Sequence, residues 1–436
     1  MIRPEPRELQ ELVQELHRQG TPWLPAGLAS RLDWGAPLRP CSVVSCASLR
    51  GIREHSPGDF TVTVGAGTPL EELQEALAPH RQWLAVDPPF QVMPPVLAGA
   101  APPPSPGLGS VGGLVARGLA GGYRERYLGV RDQLIGLRLL RADGVEAMAG
   151  GKVVKNVAGY DLMRLLCGSW GSLGLITEVT LRTLPVPPQR QGVLISGGFE
   201  DLMGWVARLL RHGPTPERLD LWSPALAAAA GQESTPLLLV GLAGVNAESL
   251  GAQVKALTES LSGGGAGAPS TAALRTCSAS ELASLLDWSH RSQQGPAATS
   301  GSDQPDGASG QVAPGPRDPA AWLLRLGVMP NRGAELLAHP ALAGLPVTLA
   351  AGSGLGLAWA DGEFPKDGVL ALRRHCQSLG GHLTVLRQPA GAEPGLPAWQ
   401  DAPSRPMIQA IKARVDPKGQ LAPGRLPGVE RPGPRA

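Results

Sequence analysis

The sequence predicts an α+β fold in two to three domains. The chain has 436 residues, and an average domain takes roughly 150. Stretches with apolar residues at helical spacing alternate with short runs of β-branched residues, and clusters of proline interrupt this pattern. We expect a first domain at residues 1–187 and a second at 188–400. A C-terminal helix and tail at 401–436 are expected to return to the first domain.

The first domain is expected to begin with an amphipathic helix. Apolar residues recur at helical spacing over residues 5–19, and Gly20 follows as a helix terminator. The segment TVTV at 61–64 predicts a strand, and GAGTPLEELQEAL after it predicts a turn and a helix with Thr68 as N-cap. Further strands are expected at 134–140 and 173–183.

The second domain is expected to mix short strands with helices near 199–211, 247–261 and 367–379, which is an α+β pattern. Residues 291–319 contain almost no apolar side chains, so they have no core to join, and we expect a disordered insertion there.

Composition excludes several classes of protein. Lys and Arg number 39 against 37 Asp and Glu, a net charge of +2, which argues against nucleic-acid binding. The 5 cysteines form no Cys-x-x-Cys pair, so neither a disulfide framework nor a metal or iron–sulfur site is indicated. No apolar run reaches the ~18 residues of a membrane-spanning helix. We therefore expect a cytoplasmic chain with no transmembrane segment and no metal.

Glycine clusters indicate a ligand site in the first domain. Residues 107–112 fit the pattern G-x-G-x-x-G, with Asp132 at the distance of a dinucleotide-binding fingerprint, but prolines stand where that fingerprint needs a strand. A glycine-rich surface loop without a ligand is one alternative. The other is a set of glycine loops that wrap a pyrophosphate together through their backbone N–H groups. The clusters lie at 25–27, 65–67, 109–113, 118–122, 150–151 and 168–174.

Residues 150–184 (GGKVVKNVAGYDLMRLLCGSWGSLGLITEVTLRTLP) resemble the signature of the vanillyl-alcohol-oxidase-type (PCMH-type) FAD-binding domain of glycolate and D-lactate dehydrogenases. Matching segments occur in order at 25–35, 64–77 and 110–113, so that the resemblance covers about residues 10–186. It implies a PCMH-type FAD-binding domain of two α/β subdomains, followed by a smaller α+β cap domain.

The resemblance also implies the cofactor contacts. FAD would be held noncovalently, because no His or Cys stands in these loops where some relatives attach the flavin. Departures from the family pattern are Ala29, Gly118, Ala120 and a proline-rich insertion at 91–106. The implied FAD-binding residues are Pro25, Gly27, Ser30, Pro88, Gly109, Ser110, Gly112, Gly113, Gly159, Gly171, Gly174 and Ile176.

The catalytic residues stay unassigned. Family members that oxidise 2-hydroxy acids carry a His-rich stretch in the second domain, whereas the counterpart here holds only His382. Position 170 is Trp, where active members usually have Glu. These departures and the C-terminal sequence DPKGQLAPGRLPG resemble the FAD-binding subunits of glycolate-oxidising complexes. The resemblance implies a D-type flavoprotein subunit and an iron–sulfur F-type subunit as partners, through which the chain would reach a membrane.

Three functions follow from these observations. The leading hypothesis is an FAD-binding subunit of a complex that oxidises glycolate to glyoxylate and passes the electrons on through its partners. The first alternative is a stand-alone FAD-dependent dehydrogenase of a small 2-hydroxy acid, glycolate or D-lactate. The second alternative is a structural subunit that has kept the fold and lost the flavin.

Overall fold

A computed structural model describes residues 1–87, 109–152, 160–262, 273–292, 321–389 and 395–430. The chain divides into two compact units. The first contains residues 1–88, 107–188 and 397–436, and the second contains 89–106 and 189–396. The proline-rich insertion at 91–106 and, from residue 293 onwards, the expected disordered insertion lie outside the described residues.

The first unit begins with a small layer of one helix and two parallel strands. Helix α1 spans Leu9–Gln19, and strands β1 (Trp23–Ala26) and β2 (Ser42–Ser45) pair in parallel. The predicted helix end is confirmed, because Gly20 adopts a left-handed φ of 69° and its N–H bonds to carbonyls of the last turn. The apolar face of α1 packs against Trp23 of β1, which closes a local core.

An antiparallel sheet of five strands follows, with the order β3-β4-β8-β6-β7. Two further short strands, β5 and β9, pair with each other. The strand predicted at 134–140 is observed with the same bounds, and its Leu137 lies opposite Val179. The elements are β3 Ile52–Ser56, β4 Thr61–Gly65, α2 Leu70–Leu77, β5 Gln82–Trp83, α3 Val111–Arg117, α4 Arg124–Tyr127, α5 Val130–Gln133, β6 Leu134–Leu140, β7 Glu146–Gly150, α6 Met163–Leu166, β8 Leu175–Arg182 and β9 Leu184–Pro185.

The start of α2 differs from the prediction. The helix begins at Leu70 after Pro69, and Thr68 does not cap it. Instead, the Thr68 hydroxyl accepts a hydrogen bond of 2.9 Å from the N–H of Gly51. The prediction was wrong because a hydroxyl near a helix start also satisfies a neighbouring loop, and that loop is distant in sequence.

The second unit contains an antiparallel sheet of eight strands in the order β13-β10-β12-β11-β15-β16-β14-β17. Alternate residues of these strands and the apolar faces of the helices form its core, in which Leu221 and Leu349 are fully buried. The elements are β10 Gln189–Ser196, α7 Phe199–His212, β11 Arg218–Trp222, α8 Pro224–Ala229, β12 Leu237–Gly244, α9 Ala247–Ser262, β13 Ala273–Cys277, α10 Ala279–Ser292, β14 Trp322–Gly327, α11 Gly333–Leu337, β15 Val347–Ala350, β16 Leu355–Ala360, α12 Lys366–Ser378 and β17 His382–Arg387. The α+β fold class is confirmed.

The C-terminal segment packs within the first unit. Helix α13 spans Arg405–Val415, and the Nζ atom of Lys412 on it donates hydrogen bonds to the carbonyls of Ser172 (2.7 Å) and Leu421 (2.8 Å). The side-chain amide of Gln420 donates to the Leu16 carbonyl at the end of α1. These bonds fix the tail beside the loop that leads into β8.

Within the described ranges, none of the helices has the length and apolar character needed to cross a membrane.

Candidate functional site

A cavity in the first unit lies where the loops after β1 and β4 meet the segments that precede α3 and β8. Its empty volume is about 790 Å³, including open solvent. Every described member of the predicted FAD-binding set lines it: Pro25, Gly27, Ser30, Gly109, Ser110, Gly112, Gly113, Gly171, Gly174 and Ile176. Pro88 and Gly159 lie outside the described residues. The structure thus brings together glycines that stand far apart in the sequence.

The loop after β1 offers free backbone donors to this cavity. Among the described residues, the N–H groups of Gly27, Leu28 and Ala29 have no hydrogen-bond partner. Ala29 adopts a left-handed φ of 55°. Successive N–H groups around a left-handed residue form a concavity that binds anions. This loop is therefore the best-equipped part of the cavity wall for a phosphate.

The segment at the start of α3 uses its N–H groups differently. The N–H of Val111 bonds to the Thr68 carbonyl (2.9 Å), and that of Gly112 bonds to the Ala66 carbonyl (2.8 Å). The Ser110 hydroxyl caps the helix by accepting from the N–H of Gly113 at 3.1 Å. These donors are already used within the protein, so the glycines here serve close packing.

Close packing explains why small residues surround the cavity. A Cβ atom at Gly112 would lie 2.6 Å from the Cβ of Ala66, and one at Gly174 would lie 2.6 Å from Cδ1 of Leu139. Real Cβ atoms do not approach other atoms so closely, and the loops would have to separate. Gly27 has the same relationship to Ser110, because a Cβ atom at position 27 would overlap the Oγ atom of Ser110.

Positive charge lines the cavity as well. Arg31, Arg117 and Arg425 contribute to its wall, and no Asp or Glu does so among the described residues. The guanidinium groups of Arg31 and Arg117 lie 5.4 and 5.7 Å from the ring centroid of Trp34. An excess of positive charge beside free N–H groups favours a ligand with phosphate groups.

Comparison with known families identifies the domain. The family described as "FAD binding domain" matches residues 4–102. The first unit contains a PCMH-type FAD-binding domain. FAD is accordingly the cofactor that the cavity has to fit.

Relatives of the PCMH-type domain extend this identification. The chain is 36% identical over 180 residues to the glycolate oxidase subunit GlcE of Escherichia coli, a match that covers 41% of this chain and 47% of that protein. It is 32% identical over 199 residues to a D-2-hydroxyglutarate dehydrogenase of Xanthomonas citri, covering 45% of this chain and 39% of the relative. The chain thus matches about half the length of the E. coli subunit, and less of the dehydrogenase.

Solved structures support the fold over nearly the whole chain. An alkyldihydroxyacetonephosphate synthase structure superposes with a TM-score of 0.58 at 13% identity, covering 97% of this chain and 76% of that one. At this identity the similarity shows the fold alone, and it extends through both units.

The cavity of the PCMH-type domain fits FAD on the residues present. Glycines leave space where a Cβ would block the wall, and the Gly27–Ala29 N–H groups together with the arginines match a diphosphate. The Cys46 thiol also lines the cavity, and burial raises its pKa to about 12, so it stays protonated at neutral pH. No His or Tyr belongs to the described lining. These features agree with the expectation of noncovalent FAD, which stays a prediction.

Sequence reasoning missed several residues of the cavity wall. Arg117 and Arg425 were not selected, and Trp170 was noted only as a departure from the family. Trp170 has a left-handed φ of 54°, and its ring meets that of Trp399 edge-on at 5.4 Å. One signal was present: Arg425 belongs to the C-terminal sequence that was expected to return to this domain.

His382, the one histidine considered for chemistry in the second unit, is the first residue of β17. Burial, with a smaller contribution from the positive charge of Arg325, lowers its pKa. No cluster of three or more metal-ligating side chains occurs in the part of the chain that the structure describes. The second unit therefore offers no described histidine cluster of the kind that family members use on 2-hydroxy acids.

Proposed function

We propose that this chain is the FAD-binding subunit of a complex that oxidises glycolate to glyoxylate, with electrons passed on through partner subunits. The observation that carries the proposal is the cavity of the first unit, in which the predicted glycines, the free N–H groups of the first loop and the arginines meet. The proposed partners are a D-type flavoprotein subunit and an iron–sulfur F-type subunit.

Similarity supports the choice of substrate. Besides the GlcE subunit, the glycolate oxidase subunit GlcD of E. coli is 28% identical over 221 residues, covering 50% of this chain and 41% of that protein. The names of these relatives favour glycolate over a larger 2-hydroxy acid. The relation to GlcE, rather than to GlcD alone, favours a role beside another flavoprotein.

In this proposal the described residues bind and orient the cofactor. When bound, FAD supplies the electron acceptor for oxidation of the hydroxyl group. The N–H groups of Gly27, Leu28 and Ala29 hold its diphosphate, and Ser110 fixes the start of α3 against that loop. Trp170, braced by Trp399, closes the wall on the side of the loop before β8.

The need for a partner follows from what the chain offers to the substrate. His382 at the start of β17 belongs to no metal-ligating cluster among the described residues, and a single imidazole does not make the His-rich site of the active dehydrogenases. A subunit that relies on the D-type flavoprotein for the chemical step does not need a His-rich site of its own. The proposal is therefore of an oxidoreductase subunit whose turnover depends on the assembled complex.

The test compares the purified chain with the complex. The chain loaded with FAD is mixed anaerobically with glycolate, alone and after assembly with the D-type and F-type subunits of its own source. We expect little reduction of the flavin in the isolated chain and steady reduction of an artificial electron acceptor by the complex. Steady glycolate or D-lactate turnover by the chain alone would overturn the subunit role.

A variant of Gly27 distinguishes a subunit whose flavin carries electrons from a subunit with a structural role only. Gly27→Ala should impair FAD binding in this chain, and the complex assembled with it should lose most of its turnover if this flavin serves electron transfer. Gly58→Ala is the matched control, because a Cβ at position 58 meets nothing within 4 Å. Full turnover of a complex that contains flavin-free Gly27→Ala chain would assign a structural role instead.

A further inference from the structure

The C-terminal tail contributes a buried arginine to the FAD cavity, from a part of the chain far outside the matched domain. Arg425 lies ten residues beyond the end of α13, is 4% exposed, and lines the cavity. A guanidinium group is charged at neutral pH, so its burial is costly unless other groups compensate for the lost hydration.

The partners of Arg425 compensate only in part. Its Nε atom donates to the Ala36 carbonyl at 2.9 Å, and its Nη2 atom donates to the Leu32 carbonyl at 2.6 Å. Both acceptors are neutral and belong to the loop after β1. No carboxylate lies within ion-pair distance of this guanidinium among the described residues. Asp33 attracts the guanidinium electrostatically without forming an ion pair, so the positive charge is only partly compensated within the described structure.

One nitrogen of Arg425 keeps its donors. The Nη1 atom has no hydrogen-bond partner in the described parts of the chain. It is also not completely buried, since it is absent from the fully buried side-chain atoms that lack a partner. Two fixed hydrogen bonds thus hold the guanidinium plane of a residue that lines the cavity, and its third nitrogen is left without a partner among the described residues.

The neighbouring loop offers the same chemistry. Arg425 is bonded to Leu32 and Ala36, and this loop begins at Gly27, whose N–H is free together with those of Leu28 and Ala29. A fixed guanidinium and free backbone N–H groups in one cavity are the components of a strong anion site.

We propose that Arg425 binds the diphosphate of FAD, completing from the C-terminal tail a site whose other half is the Gly27–Ala29 loop. The inference depends on FAD as the cofactor, and it is independent of which hydroxy acid is oxidised. Arg425 also ties the loop to the tail through the Leu32 and Ala36 carbonyls, so its two roles need separate readouts.

Two flavins of different charge separate these roles. FAD carries the diphosphate, and riboflavin has the same ring system without phosphate. The dissociation constants of both are measured by fluorescence titration for the wild-type chain and for Arg425→Gln. We expect the FAD affinity to fall about 10- to 100-fold, as for loss of a hydrogen bond to a charged group, and the riboflavin affinity to stay within about 2-fold.

Two more variants keep the test decisive. Arg414→Gln, at an exposed position of α13 in the same tail, is the matched control and should leave both affinities unchanged. Arg425→Lys keeps the charge and guards against a misfolded glutamine variant, and it should weaken FAD about 3-fold or more relative to riboflavin, because lysine cannot reproduce the planar set of donors.

Equal losses of FAD and riboflavin affinity in the folded variants would overturn the proposal and leave Arg425 as a structural tie. Unchanged FAD affinity would overturn it as well. A wild-type chain that binds no FAD would contradict the cofactor role itself, which is a different failure.

Discussion

Gly27 packs so closely against Ser110 that a Cβ atom at position 27 would overlap Ser110 Oγ and lie 3.0 Å from Ser110 Cβ. This contact joins the loop after β1 to the start of α3, and both segments line the cavity. Ser110 cannot move away freely, because its hydroxyl caps α3 through the N–H of Gly113. The glycine at position 27 therefore allows these two segments of the cavity wall to approach each other closely.

Gly27→Ala is predicted to weaken both the fold and the cofactor site. The added methyl group must displace Ser110 or the loop, at a cost of about 1–3 kcal/mol. Urea unfolding with flavin fluorescence titration measures both effects, and we expect FAD affinity to fall at least about 10-fold. Gly58→Ala should leave both unchanged. An unaltered FAD affinity in Gly27→Ala would contradict the close contact.

Ala29→Gly is predicted to stabilise the first unit. Ala29 has a left-handed φ of 55°, which costs an L-residue with a Cβ about 1 kcal/mol, and glycine removes that cost. The free energy of urea unfolding should rise by up to about 1 kcal/mol, less the larger backbone entropy of glycine in the unfolded chain. The same change at Ala413 in the regular helix α13 should instead destabilise by about 1 kcal/mol. A loss of stability in both variants would argue against a strained Ala29.

Asp416→Asn is predicted to loosen the tail that supports the cavity. The Asp416 side chain is fully buried, pairs with Lys412 at 2.6 Å, and accepts from the N–H groups of Gln420 and Leu421. Removing the negative charge leaves the buried Lys412 ammonium without its counter-ion, a loss of about 3–5 kcal/mol.

Chemical denaturation of Asp416→Asn measures that loss. The matched control is Glu259→Gln in the exposed pair with Lys255, where less than about 1 kcal/mol is expected. Because Lys412 also holds the Ser172 carbonyl beside the cavity, FAD affinity should drop in Asp416→Asn as well. Similar unfolding free energies for the two variants would count against a buried pair.

The stability of the second unit is predicted to depend on protonation of His339. Burial lowers the pKa of His339 from 6.5, and the nearby His375, with its ring centroid 4.5 Å away, lowers it further. Its Nδ1 accepts the N–H of Ala341, which requires an unprotonated nitrogen. As pH falls below 6.5, His339 therefore takes up a proton in the unfolded chain before it does so in the native protein. The stability that neutral His339 contributes is complete above pH 6.5 and is lost as pH falls towards the native pKa.

His339→Asn keeps an acceptor in place of Nδ1 and removes the titration. As pH falls from about 7.5 to about 5, the unfolding free energy of the wild type should decrease relative to that of His339→Asn. A difference that stays constant, or that favours the wild type at low pH, would contradict this assignment.

Local signals in the sequence predicted the elements that depend on neighbouring residues. The spacing of Leu9, Val13 and Leu16 predicted α1, and Gly20 its end. The β-branched run at 61–64 predicted β4, which extends one residue further. The family resemblance, rather than periodicity, selected the glycines that meet at the cavity, because no local rule links position 27 to position 110.

The rest depends on contacts between distant segments. Thr68 was expected to cap α2, yet it binds the loop at Gly51, since a hydroxyl serves whichever donor the tertiary fold brings near. Arg425 reaches the cavity only because the tail packs beside α1 and the loop before β8. Composition and spacing carry no record of such an approach, and an arginine in a proline-rich tail is usually a solvated residue.

The visible absorption spectrum of the purified chain, after incubation with FAD and removal of unbound cofactor, tests the central claim most directly. It is recorded before and after anaerobic addition of glycolate. The account predicts a flavin spectrum with about one FAD per chain, released by denaturation, that glycolate alone leaves nearly unchanged. A colourless chain would contradict the cofactor site, and bleaching of the flavin by glycolate alone would contradict its role as a partner-dependent subunit.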